Sequence, residues 1–388
     1  MFEYPVYEAA GLLEAEPPSL RRLGETLYYP DYGDHSLIRV TEGLEELVLG
    51  GGGWLAGAAR GRQKAVLVLI DALGLSTLWA HRERAGVLLE PRESWVLSSV
   101  APTSTATVLA SIATAAPPAA HGVSGYRVYL KEIGSLVKTF EMRHPGGGGG
   151  QIELPEDFSL IVGDTVFERL TAAGAEAVSI VNRHYVESRF TGDLVRGSRV
   201  VEHAYAADLV ANTVAAARSM DRGLVYAYWG GVDAASHDYG FASPQAGEAV
   251  GLSAWMVGRI VEELSGEALV LVTADHGHVT RGEVQAIGRC PGCIAPPFGE
   301  RRFLYLLTRG GCGLEVEGAV RIGRGDYGRL FGGYPGDAVA ERFGDCAYAL
   351  EGDGVAIYPY RSGELEDVMT GFHGGLTLSE LLVPLLTY

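Results

Sequence analysis

Five short apolar runs, separated by segments of helical periodicity, constrain the fold of this 388-residue chain more than any other feature. The runs are A-V-L-V-L-I (65–70), W-V-L-S-S-V (95–100), A-V-S-I-V (177–181), L-V-Y-A-Y-W (224–229) and L-V-L-V-T (269–273). Such runs are typical of strands buried on both faces of a parallel sheet. The helical segments between them are 106–116, 164–173, 205–219 and 245–264. The alternation predicts an α/β fold, with a doubly wound, mostly parallel central sheet and helices on both faces.

Two stretches depart from this alternation. Residues 125–142 have the pattern of a β-hairpin. Residues 281–365 are rich in glycine, arginine and tyrosine and have weak periodicity, which indicates a small α+β cap insertion before the chain returns to the main sheet near Val383. The predicted units are therefore a main domain of residues 1–280 and 366–388, within which 1–62 form a packed lead-in, and a cap of residues 281–365.

The composition excludes several classes of protein. With 31 Lys and Arg against 48 Asp and Glu, the formal charge of −17 repels a nucleic-acid duplex, and no dense basic cluster offsets it. No apolar run reaches the 18 residues of a membrane span, so we expect no membrane partner. The first residues, M-F-E-Y-P-V-Y-E-A-A, lack the features of a secretory signal, and we expect a cytoplasmic location.

Four cysteines leave their own chemical state open. Cys290 and Cys293 have the spacing of half a zinc knuckle, whereas Cys312 and Cys346 stand alone. A structural zinc site and disulfides are both compatible with these positions, but the spacing favours free thiols.

Acidic and histidine residues follow three of the predicted strands. Asp71 comes directly after the run 65–70, where a carboxylate suits a metal ligand but could also cap the following helix. Asp233 and His237 follow the run 224–229 and are four residues apart, so a helical turn places both on one face. They could chelate one cation, or they could be a solvated charged pair.

Two further groups complete this set. Asp275 and His276 follow the run 269–273, and Gly277 permits the non-helical turn that would bring both to one ion. His278 is a weaker candidate, because nothing in the sequence fixes its direction. His373 lies in a glycine-rich turn, ahead of a predicted amphipathic helix in which Thr377, Ser379 and Glu380 read as capping residues.

Three carboxylates and three imidazoles at strand ends and glycine turns are a metal-binding set. Mixed nitrogen and oxygen ligands suit two Zn²⁺ ions, or Zn²⁺ with Mn²⁺ or Fe, better than Mg²⁺, which prefers oxygen ligands. Two such cations can clamp the attacking and leaving oxygens of an in-line phosphoryl transfer.

The order of these motifs resembles the alkaline phosphatase superfamily, and within it the nucleotide pyrophosphatase/phosphodiesterase branch. The resemblance implies that Asp71, Asp275 and His276 hold one metal and that Asp233, His237 and His373 hold the other. The P-T-x-T segment of that branch aligns with residues 102–105, Thr114-Ala115 takes its T-G position, and Pro118 to Gly122 match P-x-x-H-G. Thr105 therefore falls on the nucleophile, which also binds a metal.

The chain also departs from the family pattern. Where the phosphodiesterase branch commonly has an Asn that holds a phosphoryl oxygen, this chain has Tyr126. Its phenol donates one hydrogen bond, and Arg127 could add charge, so both are candidate substrate-binding residues. The sulfatase signature is absent, and the segment H-G-G-L-T-L-S-E-L-L-V-P-L also resembles PglZ-type proteins.

The resemblance implies a metal-dependent hydrolase of phosphodiester or pyrophosphate bonds in small-molecule phosphate esters or nucleotides. Thr105 would attack phosphorus and form a phosphothreonine, with the N-terminus of the following helix favouring the anion. Two alternatives remain: a phosphomonoesterase or phosphonate hydrolase of the same superfamily, and a non-catalytic metal-binding regulatory protein.

Overall fold

The computed structural model describes residues 20–147, 150, 152–288, 290–365 and 368–388. All five predicted runs form strands. The strands, in chain order, are β1 (Lys64–Ile70), β2 (Glu93–Ser98), β3 (Arg127–Leu130), β4 (Ser135–Lys138), β5 (Glu176–Asn182), β6 (Arg199–His203), β7 (Gly223–Trp229), β8 (Leu269–Thr273), β9 (Val279–Thr280), β10 (Val284–Ala286), β11 (Phe298–Gly299), β12 (Phe303–Leu306), β13 (Ala319–Gly323), β14 (Cys346–Leu350), β15 (Val355–Ile357), β16 (Gly371–Phe372) and β17 (Leu382–Thr387).

The helices include the four that the sequence predicts, each shifted by no more than two residues at either end. In chain order they are α1 (Ile38–Val48), α2 (Ala56–Ala59), α3 (Leu75–Ala80), α4 (Arg82–Ala85), α5 (Thr105–Thr114), α6 (Pro118–His121), α7 (Val166–Ala172), α8 (Arg189–Leu194), α9 (Ala206–Arg218), α10 (Gly231–Tyr239), α11 (Pro244–Leu264), α12 (Tyr327–Leu330) and α13 (Leu378–Leu381). No helix in the described residues is both long and apolar enough to span a lipid bilayer.

The main sheet has seven strands in the order β2-β17-β8-β1-β7-β5-β6. Strand β1 pairs in parallel with β7 and β8, and β5 pairs in parallel with β6 and β7. Only β17 runs antiparallel to its neighbours, β2 and β8. The α/β fold with a mostly parallel central sheet is therefore confirmed.

The C-terminal segment corrects one prediction. The chain does return to the main sheet near Val383, but the amphipathic helix expected before it lasts a single turn, α13. The next residues form β17, whose side chains are all buried between β2 and β8. A continuous apolar run fits a strand buried on both faces as well as it fits a helix, and periodicity alone does not separate the two.

The lead-in packs onto the main domain over its described part, residues 20–62. Helix α1 buries Leu44, Leu47 and Val48 in the same core cluster as the strands of the main sheet. Residues 1–19 of the predicted lead-in lie outside the described part of the chain.

A second sheet, which we call the cap sheet, has six strands in the order β13-β14-β12-β11-β3-β4. The predicted hairpin is confirmed as the antiparallel pair β3–β4, and it joins the strands of the insertion where Arg127 pairs with Gly299. Long-range pairing of this kind has no local sequence signal. The cap boundaries stay a prediction, and residues 366–367 next to one of them lie outside the described residues.

All four cysteines are paired, so the expectation of free thiols is wrong. Cys290 bonds to Cys293 across a turn, and Cys312 bonds to Cys346 with Cα atoms 6.4 Å apart. The second pair spans 34 residues and depends on strand β14 bringing Cys346 back beside the loop that holds Cys312. Spacing along the chain does not reveal that approach.

Candidate metal centre

Three adjacent strands of the main sheet end at the candidate site. The order β8-β1-β7 brings the carboxyl ends of these parallel strands side by side. Asp71 follows β1 directly, Asp275 follows β8, and Asp233 lies in the first turn of α10, just after β7. Ligand sites of open α/β sheets lie at this edge. The topology therefore gathers the three carboxylates from positions far apart in the sequence.

The first cluster consists of Asp71, Thr105, Asp275 and His276. The His276 Nε2 atom lies 3.0 Å from Thr105 Oγ1, 3.5 Å from Asp71 Oδ1 and 3.4 Å from Asp275 Oδ2. Among the described residues, Asp71 Oδ1 and Asp275 Oδ2 are buried and have no hydrogen-bond partner. Two unpartnered carboxylate oxygens facing an imidazole nitrogen and a hydroxyl are a donor set that a cation completes.

Each carboxylate of this cluster is held by its other oxygen. Asp275 Oδ1 accepts hydrogen bonds from the backbone N–H groups of Ala72, at 3.0 Å, and His276, at 2.9 Å. The Tyr228 hydroxyl donates to Asp71 Oδ2. These bonds orient the free oxygens, because outer contacts of this kind fix the direction of a ligand.

The second cluster consists of Asp233, His237, His278 and His373, whose ligand atoms lie within 4.8 Å of one another. The Nε2 atoms of His278, His237 and His373 lie 2.8, 3.4 and 3.9 Å from Asp233 Oδ1. The Nδ1 atoms of His237 and His373 lie 2.8 and 2.9 Å from the carbonyls of Gly371 and Thr103. A carbonyl only accepts, so Nδ1 carries the proton and Nε2 presents its lone pair to the cluster.

His278 was the weaker candidate in the sequence, because nothing there fixed its direction. It is fully buried and packs with the other three histidines of the two clusters rather than pointing away. The available signal was its spacing from His276, because residues two apart on extended backbone point to the same side. His278 therefore lies in the second cluster, where its Nε2 contacts Asp233 Oδ1 at 2.8 Å, and the assignment of the metal ligands stays a prediction.

The pKa values of the residues in both clusters are strongly shifted. Burial, together with the charges of Asp233 and Asp275, raises the pKa of Asp71 well above its ordinary value. Burial raises the pKa of Asp275 to about 7 and lowers that of His373 to about 3. Burial also acts to raise the pKa of Asp233, but His237 and His278 outweigh it and hold that pKa well below the ordinary value. A divalent cation would supply the positive charge that this crowded carboxylate site requires.

Thr105 stands at the start of a helix and beside both clusters. It is the first residue of α5, and Ser104 before it is extended. The neighbouring Thr103 hydroxyl donates to the Gly375 carbonyl at 2.7 Å and accepts from the Gly374 N–H at 3.1 Å, which ties this turn to the loop that holds His373. The first turn of α5 thus presents the Thr105 hydroxyl and helical N–H groups at one place.

Tyr126 and Arg127 lie on the cap side of the same cleft. The Tyr126 hydroxyl already donates to Glu141 Oε1 at 2.7 Å, so it must exchange this bond to hold a phosphoryl oxygen. Arg127 stacks on Tyr126 and pairs with the buried Glu364 at 3.1 Å. Both residues line a cavity of about 330 Å³, which we call the basic cavity, together with Thr105 and His373.

Arg301 is a further cation of the basic cavity that the sequence did not reveal. Its Nη2 lies 3.6 Å from Glu364, while its Nη1 is buried without a hydrogen-bond partner among the described residues. Arg127 and Arg301 share Glu364, and the buried Glu300 carboxyl, whose pKa burial raises, lines the same cavity. Arg301 lies in the weakly periodic segment 281–365, so the sequence pattern did not indicate that it lines the cavity.

An α/β sheet with Asp/His clusters at its carboxyl edge, facing a hydroxyl at a helix N-terminus, defines a protein of the alkaline phosphatase superfamily. The family model "Type I phosphodiesterase / nucleotide pyrophosphatase" matches residues 65–287, which is more than half of the chain. The protein belongs to this family of hydrolases.

Solved structures agree in fold over most of the chain. Murine ectonucleotide pyrophosphatase/phosphodiesterase 5 superposes with a TM-score of 0.65 at 14% identity, covering 84% of this chain and 88% of that one. An inactive variant of the murine protein in complex with AMP gives a TM-score of 0.64 at the same identity and coverage. Phosphonoacetate hydrolase from Sinorhizobium meliloti 1021, in complex with phosphonoformate, gives 0.61 at 19% identity, covering 84% and 90%. No curated protein matches the sequence significantly.

Proposed function

We propose that this protein is a two-metal phosphohydrolase that cleaves phosphodiester or pyrophosphate bonds of nucleotide-like small molecules through a phosphothreonine. The observation that carries the proposal is the first cluster. There the Thr105 hydroxyl lies 3.0 Å from His276 Nε2, in the same pocket as the unpartnered oxygens of Asp71 and Asp275. Thr105 would be the nucleophile.

Each cluster has the donors of a Zn²⁺ site, with Mn²⁺ or Fe as alternatives. Asp71, Thr105, Asp275 and His276 would hold one ion, and Asp233, His237 and His373 the other, with His278 beside them. Bound divalent cations lower the pKa of a coordinated hydroxyl and stabilise charge on phosphoryl oxygens.

The protein's own groups would orient the reaction. The Thr105 oxygen attacks phosphorus, the substrate alcohol or phosphate leaves, and water then hydrolyses the phosphothreonine. Helical N–H groups of the first turn of α5 would stabilise the developing negative charge. Arg127 and Arg301 would pair with a non-bridging oxygen or a second phosphate, because both line the basic cavity beside Thr105 and His373.

Two structural relatives favour two substrate classes. The AMP complex of the murine relative favours a nucleotide-like substrate. The likeness to phosphonoacetate hydrolase favours a second candidate, the hydrolysis of a phosphonate with an anionic substituent, and the arginines of the basic cavity suit such a substituent. The cytoplasm remains our proposed location, although two disulfides are more typical of oxidising compartments.

Relative turnover tests the proposal. Initial rates are measured for bis-p-nitrophenyl phosphate, thymidine monophosphate p-nitrophenyl ester, p-nitrophenyl phosphate and phosphonoacetate with added Zn²⁺ or Mn²⁺. We expect at least one diester to be the best substrate and Thr105→Ala to lose at least ~1000-fold in kcat. Thr107→Ala is the matched control, because Thr107 is a buried threonine of the same helix away from the clusters.

Other outcomes point elsewhere. A much faster monoester supports a phosphomonoesterase, and phosphate release from phosphonoacetate alone supports the phosphonate hydrolase. Protein that binds no metal and whose residual rate is unchanged in Thr105→Ala supports the non-catalytic alternative.

A further inference from the structure

A second cavity, which we call the apolar cavity, also includes Thr105 in its lining, whereas Arg127, Arg301 and Arg361 line only the basic cavity of the two. It measures about 580 Å³ and includes Asp71, Thr105 and Asp233 of the metal centre in its lining. Its volume is that of a ligand site rather than of a packing defect. Its position next to Thr105 means that a group attached to the reacting phosphorus can enter it.

One wall of the apolar cavity is the same helix face that carries Thr105. Leu109, Ile112 and Ala113 follow Thr105 by four, seven and eight residues, so all four side chains lie on one side of α5. The facing wall includes Tyr226 and Tyr228, which are two apart on β7 and share one face of the sheet.

The interior of the apolar cavity is poor in polar groups. Its buried lining includes Leu109, Ile112, Phe167, Val181 and Leu194. The charged lining residues outside the metal centre are Glu141, Arg143 and Glu187, and all three are exposed at the surface. The hydroxyls of Thr191 and Tyr226 are the main polar groups of the buried wall.

We propose that the apolar cavity binds an apolar organic group of the substrate, an alkyl or aryl chain esterified to the phosphate that Thr105 attacks. A nucleobase enclosed by these walls would leave most of its polar edge unpaired, which is costly, whereas an apolar chain gains from burial. At ~30 Å³ per non-hydrogen group, as for liquid water, the cavity has room for roughly 20 such groups. The inference rests on the proposed phosphohydrolase function and assigns an alkyl or aryl ester, in place of a nucleoside, to this side of its substrate.

Binding of alkylphosphonates tests the inference without depending on turnover. Methyl-, butyl- and octylphosphonate carry one organic group each, so a dependence of the Kd on alkyl length reports where that single group binds. Titration calorimetry with the zinc-loaded protein should show the Kd falling about threefold per methylene and at least ~100-fold from methyl to octyl. A Kd for octylphosphonate within threefold of that for methylphosphonate would overturn the proposal.

Two variants locate the effect. Ala113→Phe fills the cavity from α5, and Leu194→Gln places an amide in its wall from α8, a helix that is shorter and less central than α5. Either variant should remove most of the dependence of the Kd on chain length. Leu252→Gln is the control, because Leu252 is 41% exposed on α11 and lies outside the cavity. An undiminished chain-length effect in a folded Ala113→Phe or Leu194→Gln protein would refute the assignment.

The outcomes separate this inference from the proposed function. Chain-length-dependent binding without hydrolysis of any phosphate ester refutes the phosphohydrolase and keeps the apolar site. Hydrolysis of diesters with no dependence on alkyl length keeps the phosphohydrolase and refutes the apolar site. Tighter binding of AMP than of octylphosphonate, abolished by Ala113→Phe, would assign the cavity to a nucleoside instead.

Discussion

Removal of the metal ions should expose a pH-dependent instability at Asp275. This carboxyl is fully buried, and burial raises its pKa from 3.8 to about 7. Between these values the metal-free folded protein holds a proton that the unfolded chain has released, so stability falls as the pH rises. A shift of about 3 pKa units at 1.36 kcal/mol per unit corresponds to a loss of about 4 kcal/mol above pH 7. A cation bound to the carboxylate cancels this cost.

The variant Asp275→Asn isolates this effect from the histidines. Burial lowers the pKa values of His276 and His373, so those groups gain stability as the pH rises and oppose the carboxyl in a plain pH profile. The amide resembles the protonated carboxyl and keeps an oxygen for the N–H groups of Ala72 and His276. We expect the metal-free variant to match metal-free wild type near pH 4 and to be about 4 kcal/mol more stable at pH 8.

Urea unfolding of chelator-treated protein from pH 4 to pH 8 measures this difference. Zn²⁺ added at 1,000 times its Kd should stabilise wild type by about 4 kcal/mol or more at pH 8 and should stabilise Asp275→Asn much less. The reasoning fails if metal-free wild type and variant differ by the same amount at both pH values, or if Zn²⁺ leaves the wild-type midpoint unchanged.

Two further predictions concern residues around the clusters. The buried Arg302 donates two hydrogen bonds, of 2.7 and 3.0 Å, to the Glu380 carboxylate. Glu380→Gln should therefore lower the free energy of unfolding in urea by about 3–5 kcal/mol, and Arg302→Met combined with Glu380→Leu should recover most of that loss. A loss below about 1 kcal/mol in Glu380→Gln would contradict this account. His278→Phe should weaken binding of the second cation by about 10- to 100-fold in chelator competition, because it removes a nitrogen 2.8 Å from Asp233. Unchanged affinity would mean that His278 only fills space.

The sequence predicted the parts of the site that depend on local pattern. Strands β1, β7 and β8 are buried on both faces, which makes them continuous apolar runs, and Asp71, Asp233 and Asp275 stand at their ends. Because the carboxyl ends of parallel neighbouring strands meet at one edge of a sheet, the pattern predicted that these carboxylates form a site. The grouping of the ligands and the role of Thr105 came from the family resemblance. By contrast, β6 was missed because most of its side chains are exposed at the sheet edge, so it has no apolar run.

Features that depend on contacts between segments far apart in the sequence were not predicted. In the cap sheet Arg127 pairs with Gly299. This pairing places Arg301, two residues after Gly299, in the lining of the basic cavity. The disulfide between Cys312 and Cys346 has the same origin. His278 differs, because its spacing from His276 was a local signal for its direction. The sequence did not show its contact partner, Asp233, which lies 2.8 Å away in the structure.

The basic cavity and the apolar cavity would bind different parts of one substrate. Thr105, Tyr126 and Asp233 line both cavities, so under the proposed function the reacting phosphorus would lie where the two cavities meet. On one side the cap contributes Arg301 and Arg361, and on the other the main domain contributes the apolar face of α5. Positive charge draws in an anionic group, while the apolar walls reject one because a buried unpaired charge is costly. On the proposed function, the site would orient an asymmetric substrate by its two ends, and changes in the cap would alter recognition of the anionic end without altering the metal centre.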